Sequence, residues 1–316
     1  MTPPLAPPSE PDVRLDRPWI GRRPAGRGLV GGALVLGLAG CGRLDELTAD
    51  PGVTPQEWCE QRPCVQVGDT IVNEPLGTFL VFALAALWIG VGLYFLFARR
   101  GQRSRGWLGI ALVLGGLGAA QAGISYQAFS YELKCAGQEI CRYTNGFEVG
   151  YSVTQAWSVS AMVVAVAYAC TVGRARTALI LYAVINAVVY CVVAAAGVLL
   201  PSKSLLSFEV LMLFALPGVI LVMIVAGARW RRAETTTERG AARWIFWAAV
   251  LLIVVQVAYF AYYAAGVTQS LWADGSGFYF SENDVLHVGM IAWLIVVAVT
   301  LGPRLTDRAA RSEPAP

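Results

Sequence analysis

The sequence predicts an all-α integral membrane protein. The expected form is a seven-transmembrane helix bundle, N-out/C-in, preceded by a lipoprotein-type signal peptide. Three observations carry this reading. Hydrophobic residues make up 56% of the 316-residue chain and charged residues 14%, whereas soluble domains carry roughly 25% charge. Apolar runs recur from Leu76 onward, each about 20 residues long, which is what a helix needs to cross a hydrocarbon core of ~30 Å. Arginines gather in alternate connections, the pattern that sets orientation in a bilayer.

The elements follow in chain order. Residues 1–27 are polar and rich in proline and arginine (Arg14, Arg17, Arg22, Arg23, Arg27), and Gly28 to Gly40 is a 13-residue stretch without charge. As a helix that stretch reaches only about 20 Å, which suits the apolar region of a signal peptide. Leu38-Ala39-Gly40-Cys41 resembles a lipobox, with cleavage before Cys41 and a lipid on its thiol. The alternative is a short uncleaved helix ending by chance in cysteine. Arg22-Arg23 is followed by Pro24, which breaks the usual twin-arginine context. The expected organisation is therefore a signal peptide (1–40), an extracytoplasmic segment (41–75), a seven-helix domain (76–302) and a cytoplasmic tail (303–316).

Spans are expected near 76–98, 106–130, 150–172, 177–200, 207–228, 243–265 and 284–302. The connections decide their direction. Arg99, Arg100, Arg103 and Arg105 follow the first, Arg174 and Arg176 the third, and Arg229, Arg231, Arg232, Arg239 and Arg243 the fifth; Arg304, Arg308 and Arg311 close the chain. The other connections hold only Lys134, Arg142 and Lys203. The arginine side is then cytoplasmic, and the chain is a multi-pass protein of the cell membrane with an extracytoplasmic N-terminus. Cys59, Cys64, Cys135 and Cys141 fall outside, where four cysteines suggest two disulfides with three possible connectivities. The local pairs Cys59–Cys64 and Cys135–Cys141 are favoured over a zinc site, whose usual spacing is shorter. Cys170 and Cys191 read as small core residues.

Composition excludes several functions. A net charge of +3 gives no reason to expect nucleic acid. The only lysines, Lys134 and Lys203, fall in outer loops, so no retinal Schiff base can form inside the bundle. With His287 the single histidine, neither a bis-histidine haem nor a three-histidine zinc site is available. Within the spans, polar side chains recur at helical spacing: Gln121, Ser125 and Glu132; Tyr151, Gln155 and Ser158; Tyr182, Asn186 and Tyr190; Gln256, Tyr259 and Tyr263. Such stripes either line a polar cavity open to the outside or simply bond helices together.

Among the acids, Glu74, Glu148, Glu209, Glu282 and Asp284 stand at helix N-termini, where dipole and capping favour a carboxylate. Ser281 to Asp284 has capping-box spacing, and Pro75 suits a first helical position. Glu132 sits at a helix C-terminus and most needs a partner. Asp284 lies one turn before His287 and could orient its ring. The candidate catalytic set is Ser125, Glu132, Asp284 and His287. Of these, Glu132, Asp284 and His287 offer a mixed oxygen and nitrogen site for zinc or manganese.

Three patches resemble the alkaline ceramidase and progestin-and-adipoQ receptor superfamily, as a distant and degenerate relative. Glu57-Trp58-Cys59-Glu60, followed by Glu74-Pro75 and Thr78, resembles the family's acidic Trp-Cys-Glu and Glu…Asn-Thr pattern. The resemblance implies a calcium site at Glu57, Glu60 and Glu74. Ser125 stands at the family's Ser-x3-His motif and His287 at its His-x3-His motif, but Phe129 and Ile291 replace the other histidines. The family's three-histidine zinc chemistry therefore does not transfer intact. Residues 125–137 and 280–287 also resemble segments of bacterial membrane proteins of unassigned activity.

Two functions compete: a degenerate ceramidase-like hydrolase acting on a lipid or amphiphile from the outer face, and a non-catalytic sensor, lipid-binding or complex-anchoring protein. Transport has less support, since no repeat is visible and only Pro217 interrupts a span. The sequence carries no signal for oligomeric state.

Overall fold

A computed structural model describes residues 42–273 and 277–308 of the protein. The expected signal segment and the Cys41 lipidation position lie outside the described residues. Among the described residues seven helices are long and apolar enough to cross a membrane, as their composition predicts. They are α2 (Pro75–Phe97), α3 (Arg103–Ala122), α5 (Gly146–Cys170), α6 (Gly173–Leu199), α7 (Phe208–Arg232), α8 (Thr236–Ala264) and α10 (Glu282–Leu301). Short helices among the described residues include α1 (Pro55–Glu60), α4 (Ser130–Lys134) and α9 (Val267–Ala273). The sixth span begins seven residues before its expected start at 243, because Thr235 caps it by accepting from the Glu238 amide. Its first turn is polar and carries no apolar signal, yet Arg229 of α7 pairs with Glu238 there.

The packing order forms a closed ring. Helix α2 packs on α3, α3 on α5, α5 on α7, α7 on α8, α8 on α10, and α10 returns to α2. Helix α6 stands outside, held chiefly by α5. Its Leu181, Val184, Ile185, Val188 and Val192 are all exposed, as suits a face turned to lipid.

The arginine-bearing end is stitched by backbone contacts. Asp307 accepts from the Arg103 and Ser104 amides at 2.8 and 2.7 Å, where its charge also suits the helix N-terminus. Arg176 donates to Thr171 O, at 2.6 Å, and to Arg308 O, at 2.8 Å. Arg308 reaches Cys170 O at 3.1 Å. These arginines satisfy the final carbonyls of α5, which no residue of the same helix can reach.

The opposite end carries a cap that hydropathy does not reveal. Strands β1 (Cys64–Val67) and β2 (Thr70–Asn73) form an antiparallel hairpin in register Cys64–Asn73 to Val67–Thr70. Gly68 makes its tight turn possible with φ of 62°. The cap holds both expected disulfides, Cys59–Cys64 and Cys135–Cys141. Trp58 packs on the second bridge, and Arg62 lies 4.0 Å over the Trp58 ring. Residues 47–53 join in: Ala49 N donates to Cys141 O and Cys141 N to Val53 O, both at 2.8 Å. Short loops of this kind give about 2 kcal/mol per disulfide in the chain-entropy model. Cys59→Ser/Cys64→Ser should therefore lower the unfolding midpoint, and a reductant should lower that of the wild type by more than that of the variant, which keeps only Cys135–Cys141. Thermal unfolding in detergent measures both.

The second span departs from its expected course. It is α-helical only to Ala122 and continues as a π-helical turn over Gly123–Ala128, with Phe129 N donating to Ile124 O at 3.0 Å. A π turn inserts one extra residue, so everything after it rotates by roughly 100°. The stripe of Gln121, Ser125 and Glu132 is broken at this turn.

Candidate amphiphile cavity

The ring helices line a partly open cavity of about 560 Å³, within the range of small-molecule sites. Every spanning helix except α6 contributes to its wall. It lies in the half of the bundle nearer the cap, as Phe208 at the start of α7 and Tyr259 near the end of α8 show. Most of the wall is apolar. Its deep end is closed by Trp88 and Trp293, packed edge to face at 6.2 Å. The Trp293 indole donates to Ala248 O at 2.8 Å. Gln127, Asn283 and His287 line the wall toward the cap; Gln256 and Gln155 also line it, Gln155 donating to Gly115 O at 3.2 Å near Trp88.

The four expected catalytic residues do not form one site. Ser125 is fully buried but engaged: its hydroxyl donates to Glu148 Oε1 at 2.8 Å and accepts from Asn145 Nδ2 at 2.6 Å. The same Glu148 oxygen pairs with Lys134, whose ammonium also donates to Tyr143 O at 3.2 Å. Glu132 accepts from the Ile71 amide at 2.8 Å and so anchors the hairpin. The π turn explains why it leaves the Ser125 face. Asp284 completes the anticipated capping box, its Oδ2 accepting from Ser281 N at 2.7 Å. His287 Nδ1 is buried without a hydrogen-bond partner, so Asp284 does not orient the ring through that nitrogen.

The metal sets are likewise dispersed. Among the described residues no group of three His, Cys, Asp or Glu side chains is gathered to hold an ion. This applies to Glu132, Asp284 and His287 as a zinc or manganese set, and to Glu57, Glu60 and Glu74 as a calcium set. Glu57 forms a capping box with Thr54, whose bonds hold its carboxyl below the usual range. Glu60 accepts from Gln56 at 2.9 Å. Glu74 accepts from Arg62 at 3.3 Å and from the Tyr279 hydroxyl at 3.2 Å.

What the structure does bring together is Glu74, Gln127 and Asp284 around Gly77. A Cβ at Gly77 would lie 2.9 Å from Asp284 Oδ1, 3.3 Å from Gln127 Cγ and 3.5 Å from Glu74 Oε2. Only glycine leaves room for all three. Glu74 is 4% exposed and takes a left-handed conformation, φ 44°, an uncommon and costly backbone state for a residue with a Cβ. Burial pushes its carboxyl up to about 7, against the pull of Arg62 and with a further push from Asp284. Sequence reasoning placed Glu74 and Asp284 in separate caps. Gly77, one turn inside the first span, was the available clue.

Compared with protein-family models, curated proteins and solved structures, the chain gives no significant match.

Proposed function

We propose that this polytopic membrane protein is a non-catalytic binder of a single-chain amphiphile, with the disulfide-tied cap outside the cell and the arginine end in the cytoplasm. The cavity is the observation that carries the reading. Its wall is mostly apolar, with Gln127, Asn283 and His287 toward the cap and Gln155 and Gln256 as further polar groups, which suits a molecule with a tail and a headgroup. The arginine connections support the orientation. Hydrolysis has less support: Ser125 is bonded to Glu148 and Asn145, and it is not among the residues that line the cavity. Among the described residues no Ser, Thr, Cys or Lys side chain lines that space.

A neutral probe tests this. In nanodiscs, a fatty alcohol with a pyrene at its tail end should receive energy from Trp88 and Trp293 in a saturable manner. Ala122 and Ala215 both line the cavity. Filling it with Ala122→Phe/Ala215→Phe should weaken the saturable signal by about tenfold, a change of ~1.4 kcal/mol. An identical titration in wild type and filled variant would sink the proposal.

A further inference from the structure

We propose that the headgroup this cavity takes is a primary ammonium, so that its ligand is a long-chain alkylamine; this rests on the amphiphile-binding reading above. Several buried polar atoms in and beside the cavity lack hydrogen-bond partners. They include Gln127 Oε1, Gln256 Oε1 and His287 Nδ1 on its wall and Asp284 Oδ1 and Glu74 Oε2 beside Gly77, with one donor, Arg62 Nε, on the guanidinium that bonds Glu74. Four of these six are oxygens that can only accept, or in a protonated carboxyl share a single proton. Buried acceptors without donors are costly, and a ligand that brings several N–H groups relieves that cost. Gln127, 2% exposed, belongs to both places: it lines the cavity and its side chain reaches the point beside Gly77 where the two carboxylates converge.

Charge selects the kind of donor. The groups that act on Glu74 are Asp284 and Glu282, which are acidic, the Arg62 guanidinium and the Tyr279 hydroxyl. Three carboxylates thus face one guanidinium. Lys134, a buried cation at the capward end of the second span, is already paired with Glu148. An anionic headgroup would meet like charge in a low-dielectric setting, and a neutral hydroxyl would bring one donor. A primary ammonium brings three donors and the missing positive charge. Its alkyl chain then runs along the apolar wall toward Trp88 and Trp293. The orphan Trp88 Nε1 lies at that deep end against Gly115, out of the headgroup's reach.

The experiment displaces the pyrene-tailed alcohol with dodecylamine, dodecanol or dodecanoate, using the full chain in nanodiscs of neutral lipid. Wild type is compared with Glu74→Gln/Asp284→Asn. Both substitutions keep an oxygen for the Arg62 and Ser281 bonds and put an NH2 group where the free oxygens were. Comparing proteins rather than amphiphiles removes differences in bilayer partitioning. Dodecylamine should lose about tenfold in the variant while dodecanol changes little. An equal effect on both, or no effect on dodecylamine, overturns the ammonium assignment and leaves amphiphile binding standing. If dodecanol itself displaces nothing saturable in wild type, the cavity reading fails and this assignment with it. Should the double variant not fold, Gln127→Glu adds an acceptor and a charge at the same place. It should tighten dodecylamine about tenfold, and unchanged binding would be equally decisive.

Discussion

Lys134→Met should destabilise the protein by about 3–5 kcal/mol, the usual consequence of removing one partner of a buried ion pair. Lys134 and Glu148 are 6% and 5% exposed, and the lysine also satisfies Tyr143 O. Its ammonium also lies 5.1 Å from the Tyr126 ring, a cation–π contact that the substitution removes as well. Methionine keeps the length of the stem and leaves the Glu148 charge without its counter-ion, with Ser125 remaining as a donor. The double variant Lys134→Met/Glu148→Gln should recover more than half of the loss, because no unpaired charge is then buried. Thermal unfolding of the four proteins in one detergent forms the cycle. A single variant within about 1 kcal/mol of wild type would show that water reaches the pair and screens it.

The second large effect is a pH dependence set by Glu74. Its carboxyl is pushed up to about 7 from an ordinary value of 4.5, so the folded protein holds the proton more tightly than the unfolded chain. Stability is then greatest below pH 4.5 as far as this group is concerned. It falls as pH rises to about 7 and is level above that. The span corresponds to a loss on the order of 3 kcal/mol at 1.36 kcal/mol per unit. Glu74→Gln should abolish this part of the slope while keeping an oxygen for Arg62 and Tyr279. Midpoints measured from pH 4.5 to 8 decide it. A wild-type slope of the opposite sign, or one that survives in Glu74→Gln, would refute the assignment.

Much of the architecture was legible because its signals are local and periodic. Twenty-residue apolar runs name their own length, and the Ser281–Asp284 box and Pro75 mark helix starts through short-range chemistry. The disulfides were legible for the same reason, each joining near neighbours in sequence. The site was much less so. Hydropathy treats the second span as one helix, whereas the π turn at Gly123–Ala128 rotates Glu132 toward the hairpin. The hairpin itself is four residues per strand, with exposed Val65 and Val67, and gives no strong period. The meeting of Glu74 with Asp284 joins the first span to the last, a contact no window of sequence contains.

That same join has a consequence for biosynthesis. Because α10 closes the ring between α8 and α2, the chamber lacks a wall until that span follows the other six into the bilayer. Gln127 and Gln256 belong to spans that leave the ribosome before it, and until it docks their amides have an open flank, whereas Gln155 already donates to Gly115 O of α3. Completion of the chamber therefore waits on α10. A chain halted after α8 should be inserted yet unsealed, a state that membrane quality control can tell from the finished protein by its exposed polar seam.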